Sequence, residues 1–300
     1  MSITNKNTFY LLLLLAMIGW GISCVNIKVL SLYLNEFETM FFRFLITAIT
    51  LIPIIIYLKK SFRIDLKSLL LVLLSAIAFI GYMKYYFLGT KLGSAGLGGA
   101  FVMTLIPINT FLILALLREK KITQKDTLAL IIGAIGVITM LNIFTFKVEE
   151  IFAIHNIYFI MASLLWPIVM IICSKATNIS PIVFTFYLYV ITCILNFIFF
   201  IDITSVNYGS FDYVFWLNIL CISVFASTFS YTIYFMGIEK LGARDISSFL
   251  FLVPIFAIVF GVIFLDEKID FSIIIGTVFT IVAVKILNDI KVIPIKNTLR

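Results

Sequence analysis

Residues 91–120 read KLGSAGLGGAFVMTLIPINTFLILALLREK, and residues 240–268 read KLGARDISSFLFLVPIFAIVFGVIFLDEK. Both stretches open on Lys-Leu-Gly, carry a proline inside an apolar run (Pro107, Pro254) and close on a glutamate and a lysine, Glu119-Lys120 and Glu267-Lys268. Gly93 to Glu119 is 26 residues, Gly242 to Glu267 is 25, and the two glutamates lie 148 apart, about half of the 300-residue chain. A period of that size marks a duplicated unit. If one unit crosses a membrane an odd number of times, the second is inserted upside down relative to the first. Two halves related in that way are typical of carriers that open alternately to the two sides of a bilayer.

The composition places the chain in lipid. Hydrophobic residues make up 63% and mean hydropathy is +1.18, against about 45–50% apolar residues in soluble domains. Charged residues are 12%, about half the soluble share. The formal charge of +7 comes mostly from short basic loops, so it reads as an orientation signal and not as a nucleic-acid surface. Cys24, Cys173, Cys193 and Cys221 all fall in apolar runs without C-x-x-C spacing and read as packing residues. One histidine, His155, cannot build a histidine-based metal site, and no cofactor or metal is expected. The first apolar run continues past Gly19-Trp20-Gly21 to about Leu30 with no small-residue cleavage site. It is too long for a signal peptide core and reads as a first transmembrane helix.

Apolar segments of roughly 20 residues, the length that crosses about 30 Å of hydrocarbon as helix, fall near 9–31, 37–58, 68–89, 95–117, 124–144, 155–174, 182–201, 213–237, 244–265 and 271–290. The expected fold is an all-α integral membrane protein of ten helices, built as two inverted five-helix repeats over 1–147 and 148–300. With the N-terminus in the cytoplasm, fifteen Lys and Arg fall in cytoplasmic segments and three (Lys91, Lys147, Lys268) in outer loops; Lys28, Arg43, Lys84 and Lys285 lie within spans. That imbalance predicts both termini inside. The repeat extends to Tyr82, Tyr85 and Gly89, which match Tyr231, Tyr234 and, displaced by one, Gly237. Trp20 matches Trp166 and Lys28 matches Lys175 more loosely.

On these residues the chain resembles the drug/metabolite transporter superfamily, in its ten-helix EamA-type branch. Trp20-Gly21, Arg43-Phe44, Pro107 with Glu119, and Gly133 carry the resemblance in the first half; Trp166, Pro254, Glu267 and Gly276 carry it in the second. The resemblance covers nearly the whole chain. It implies a five-plus-five bundle, a central cavity lined mainly by spans 1, 3, 4, 6, 8 and 9, and export or exchange of small metabolites. Substrates of the superfamily range from amino acids to nucleotide sugars and drugs, so the resemblance names no ligand. Lys84 is not part of the shared pattern.

A cation inside a span costs about 2.5–3.5 kcal/mol at the helix centre and less near an end, where it snorkels. Snorkelling accounts for Lys285 and suits Lys28. Arg43 and Lys84 lie some five or six residues inside their outer boundaries, roughly 7–9 Å at the helical rise. Arg43 reads either as a structural donor to helix-end carbonyls or as a substrate contact, and Lys84 as the strongest candidate for substrate or counter-ion contact. No Asp or Glu lies deep in a span, so the inner field is expected to be positive and to favour a solute bearing a carboxylate or phosphate, such as an amino acid. Trp20, Tyr85, Trp166, Tyr231 and Tyr234 can wall an amphipathic cavity, or form interfacial belts. Asn26 and Asn109 are ligand contacts or helix–helix hydrogen bonds. Pro107, Pro167 and Pro254 bend their helices and serve as gates or as fixed packing bends.

The leading function is therefore a secondary transporter, an exporter or exchanger of small polar metabolites. The alternatives are a passive pore and a non-transporting membrane receptor or assembly protein. An intramembrane enzyme would need a nucleophile with a base, paired carboxylates or a metal cluster inside the spans, and the spans offer none at matching depth. The expected partners are a small-molecule substrate and the lipid bilayer, with no nucleic acid. The coupling ion is unspecified, a homodimer is compatible, and the Ile-, Phe-, Lys- and Asn-heavy composition points to a bacterial inner membrane.

Overall fold

The computed structural model describes residues 6–118, 122–140, 152–202, 204, 206–241, 249 and 252–287. Ten helices run through them: α1 (Lys6–Leu30), α2 (Glu36–Tyr57), α3 (Leu66–Leu92), α4 (Ala95–Leu116), α5 (Gln124–Met140), α6 (Ile154–Lys175), α7 (Pro181–Phe199), α8, α9 (Leu252–Leu265) and α10 (Phe271–Leu287). α8 is composite, with an α-helical Tyr213–Leu220, a π-helical Cys221–Phe229 and an α-helical Ser230–Leu241. Seven of the ten are long and apolar enough to span a membrane, and α9 and α10 are shorter apolar helices. The expected start of span 9 near 244, the end of span 5 near 144 and the boundary between the halves at 147/148 lie outside the described residues.

Short polar caps restart each helix after its predecessor ends. Asn35 accepts from the backbone N–H of Phe37 and Glu38, while Glu38 Oε2 accepts from Asn35 N–H at 2.8 Å. This reciprocal box satisfies orphan donors at the start of α2. Asp65, Ser94 and Asp212 cap α3, α4 and α8 in the same sense, each through its side chain. Large aliphatic side chains at helical spacing remain exposed, such as Ile49, Ile52 and Ile56 on α2 and Leu128, Ile131 and Ile135 on α5. In a bilayer these faces meet acyl chains, so exposure carries no hydrophobic penalty.

The most extensive helix pairs obey one rule: shifting every helix number by five reproduces them. α2 packs on α7, α4 on α9 and α5 on α10, each pair mapping onto itself. α3 on α6 maps onto α8 on α1, α1 on α9 onto α6 on α4, and α3 on α7 onto α8 on α2. That is the contact pattern of a pseudo-two-fold axis, and with five crossings per unit the units run in opposite senses. Local backbone repeats too. Arg118 and Asp266, each just before the repeated glutamate, both adopt positive φ, 61° and 51°.

Glycines set the closest approaches on that axis. A Cβ on Gly276 would lie 2.5 Å from the Gly136 carbonyl oxygen, and one on Gly136 would lie 2.8 Å from that of Gly276. Between α4 and α9, Gly99 abuts Ala257 and Gly96 faces Gly261. Small residues let these backbones meet in lipid, where packing drives association.

Candidate functional site

Helices α1, α2, α3, α6, α7 and α8 bring an aromatic cluster to the middle of the bundle. The Trp20 ring tilts against Tyr231 at 5.0 Å and Tyr234 at 5.2 Å. Across the axis, Trp166 tilts against Tyr82 at 4.8 Å. These are the same Trp–Tyr pairs that the sequence repeat aligns, now related by the pseudo-two-fold. Tyr189 joins the halves, stacked on Phe44 at 4.7 Å and set edge-on to Tyr231 at 6.3 Å. Offset and tilted geometries of this kind suit the ring quadrupoles. Trp20 Nε1 is buried without a hydrogen-bond partner among the described residues.

One element breaks the symmetry. Arg43 on α2 is 5% exposed, whereas α7, the counterpart of α2, carries no charged residue. The Arg43 guanidinium lies 5.1 Å from the Phe44 ring centroid. Its Nε and one terminal nitrogen donate to Ser227 Oγ at 3.2 and 3.1 Å. The other terminal nitrogen meets the Met83 sulfur at 3.9 Å, a weak acceptor. No carboxylate among the described residues pairs with Arg43. A guanidinium carries five donors arranged as two edges; Ser227 occupies one edge, and the terminal fork faces sulfur.

Ser227 is placed by the π segment of α8. Ser227 Oγ donates to the Ile222 carbonyl at 2.9 Å, and Thr228 Oγ1 to that of Ser223 at 3.1 Å, both five residues back. α2 braces the segment from the side. Thr47 Oγ1 donates to the Ser223 carbonyl at 3.2 Å and Thr50 Oγ1 lies 2.6 Å from Thr228 Oγ1. π turns are rare and concentrate at functional sites.

The other predicted site residues fall around this centre or away from it. Lys84 is half-buried on α3, with its ammonium 5.7 Å from the centroid of Phe37, a residue in the first turn of α2. Tyr85 turns from the cluster and stacks on Tyr158 at 5.9 Å, while Tyr86 stacks on Tyr82 at 5.8 Å. Asn26 Nδ2 donates to Asn218 Oδ1 at 2.8 Å and Asn109 Nδ2 to Ser163 Oγ at 2.9 Å, so both amides tie helix to helix. Pro167 is buried within α6, and Pro254 is buried at the third residue of α9 as described. Pro107 lies within α4, and its side chain is outside the described residues. Lys28 bridges α1 to the α3–α4 turn, donating to the carbonyls of Lys91 and Gly93. Sequence reading passed over Tyr189, Met83 and Ser227. The run Ala226-Ser227-Thr228-Phe229-Ser230, polar within an apolar span, was the available signal.

Comparison with known proteins agrees with this architecture. A model of the EamA-like transporter family matches residues 7–142 and, a second time, residues 153–288. The chain is similar to an uncharacterized transporter, YyaM, of Bacillus subtilis (strain 168), 24% identical over 276 residues that cover 89% of this chain and 88% of that one. An uncharacterized transporter of Archaeoglobus fulgidus is 24% identical over 287 residues, covering 93% and 96% of the two chains. An S-adenosylmethionine uptake transporter of Rickettsia bellii (strain RML369-C) is 24% identical over 185 residues, 61% of each chain. A solved crystal structure covering 94% of this chain and 97% of its own superposes with a TM-score of 0.59 at 14% identity, a likeness of fold.

Proposed function

Because the chain belongs to the EamA-like transporter family, we propose that it is a secondary transporter that moves a small polar solute bearing a carboxylate or phosphate by alternating access. The observation that carries this reading is Arg43. A buried cation without a carboxylate partner is costly in lipid, and a solute anion supplies the missing charge. Its terminal fork matches the two oxygens of a carboxylate or phosphate. The Trp20, Tyr82, Trp166, Tyr189 and Tyr231 rings around it suit a solute that also carries an aromatic or cationic group. S-adenosylmethionine, named for the Rickettsia relative, combines a carboxylate, a sulfonium and an adenine ring. It is the first probe to try.

Lys84 takes a second role in this scheme. Half-buried over Phe37 and apart from the aromatic centre, it attracts the anion on its way to Arg43. The excess of Lys and Arg on the N-terminal side orients both termini to the cytoplasm, and the plasma membrane of a bacterium is the corresponding address. Mirrored halves have nearly equal energies in the two access states, so differential solute binding is enough to shift the population.

Purified protein in liposomes, preloaded with unlabelled S-adenosylmethionine, amino acids or organic acids, is the test. A carrier accelerates uptake of the labelled solute when the same solute waits inside; a pore does not. Arg43→Gln should lower the trans-stimulated rate about ten-fold or more, the worth of a lost charge-assisted hydrogen bond. Equal rates for the variant and the parent on every anionic solute carried would end the assignment of Arg43. Uptake without trans-stimulation would favour the pore.

A further inference from the structure

We propose that Ser227 is a specificity-determining positioning residue. It fills the Nε edge of Arg43 and thereby fixes the terminal fork as the edge offered to the solute anion. The inference rests on the reading of Arg43 as the solute's counter-charge.

The guanidinium has two edges that can each grip a carboxylate. If both stayed open, an anion could dock in two orientations, with its remaining groups pointing toward different helices. Ser227 removes one of them. Its hydroxyl gives its own proton to the Ile222 carbonyl, five residues back, so its lone pairs are what face Arg43, and both the Nε and a terminal nitrogen donate to that one oxygen. The hydroxyl is held in this sense by the π segment, because a donor bond to residue i−5 is the register such a turn provides.

The brace is deliberate in its placement. Ser227 is 1% exposed. The carbonyl of Ser223 accepts from Thr47 on α2, one turn beyond Arg43, and Thr50 bonds Thr228. α2 thus carries both the cation and the hydroxyls that hold the π turn against it. Across from Ser227, the terminal nitrogen of the free fork meets sulfur at 3.9 Å, an acceptor that a carboxylate displaces easily. The fork therefore opens toward Met83 on α3, the helix that also carries Tyr82 and Tyr86.

The full-length protein labelled with 15N-arginine in nanodiscs tests this directly, with Arg43 signals assigned by Arg43→Lys and with acetate as the probe at constant ionic strength. In the parent protein, Nε–H of Arg43 should be protected from water exchange and indifferent to acetate, while the terminal nitrogens shift saturably. Ser227→Ala should speed Nε–H exchange about ten-fold or more and make Nε respond to acetate as well. Ser227→Thr should restore the parent pattern. Ser227→Cys keeps the volume with a poor acceptor and should behave like the alanine variant, which covers the case in which alanine misfolds. If acetate shifts the terminal nitrogens of the parent but Ser227→Ala and Ser227→Cys leave Nε unchanged, or threonine fails to restore it, the role of Ser227 is overturned and Arg43 stands. If acetate moves no nitrogen of Arg43 in the parent, the anion site itself falls and this inference with it.

Discussion

Trp20 and Lys84 show how far a single side chain can be read. The indole N–H of Trp20 is buried without a partner among the described residues, and a buried donor left unsatisfied costs about 1–3 kcal/mol. Trp20→Phe keeps a ring against Tyr231 and Tyr234 and removes that donor. Thermal unfolding without solute should therefore occur at or above the parent temperature, while solute stabilisation shrinks. A purely structural tryptophan would lose stability in both conditions. Lys84 predicts a different pattern. Its contact with Phe37 is worth about 0.5–1 kcal/mol, so Lys84→Ala should barely change melting. In liposomes it should raise the half-saturation concentration for anionic solutes a few-fold without lowering the maximal rate, with the difference shrinking in high salt. Unchanged half-saturation for every anion would remove Lys84 from the transport path. Arg43 reads differently from the two: its depth was visible in the sequence, but its isolation from the carboxylates of the described residues depends on which side chains six helices bring together, which no spacing rule encodes.

At the scale of elements, α8 and the α5–α10 pair carry the clearest consequences. The α5–α10 seam admits no side chain at Gly136 or Gly276, where an added Cβ would press on a carbonyl oxygen. Gly276→Ala should destabilise the protein by about 1–3 kcal/mol through forced separation of the helices. Gly209→Ala, where the nearest atom lies at 3.4 Å, should not, and denaturation in detergent compares them. Asp212 caps α8 outside the membrane. The Phe215 backbone N–H, aided by the Tyr33 hydroxyl at 3.0 and 3.1 Å, holds its carboxyl below the usual carboxylate range. A folded-state value below the unfolded one stabilises above the unfolded pKa, and that contribution is lost as pH falls through the folded value. The melting temperature of Asp212→Asn should therefore be lower than the parent's at neutral pH, and the gap should close in acid. Seven of the spans were legible because length and hydropathy alone define them, and the repeat supplied the shorter ones. The π segment was not. An apolar helix with scattered serines reads as one continuous span, and the extra residue in its turns is selected by α2 packing against it, a tertiary effect absent from local pattern.

Over the whole molecule, the second of the two glutamates that first exposed the repeat becomes geometry, while Glu119 lies outside the described residues. Glu267 reaches from the α9–α10 connection to the start of α4, accepting from the backbone N–H of Ala95 at 2.6 Å and of Gly96 at 2.9 Å. Gly261 and Gly96 leave room for the carboxylate, since a Cβ on either would approach it to 2.5 and 3.1 Å. Lys28 holds the same α3–α4 turn through two carbonyls. A carboxylate on α4's free N–H groups and an ammonium on α3's terminal carbonyls both complement the helix dipoles, so one face of the bundle is tied across the two halves. Glu267→Ala should lower stability by about 1–2 kcal/mol, the worth of a lost cap. It should also increase labelling of a cysteine at position 94 by a membrane-impermeant maleimide, whereas Glu267→Gln, with one acceptor oxygen kept, should fall between. The same reagent measures the inversion. Because five crossings separate the copies, a cysteine replacing Lys268 should react from outside intact cells and one replacing Lys120 only after the membrane is opened. Reaction of both from one side would mean that the halves are not inverted, and no pairing of α4 with α9 about a two-fold axis could then stand.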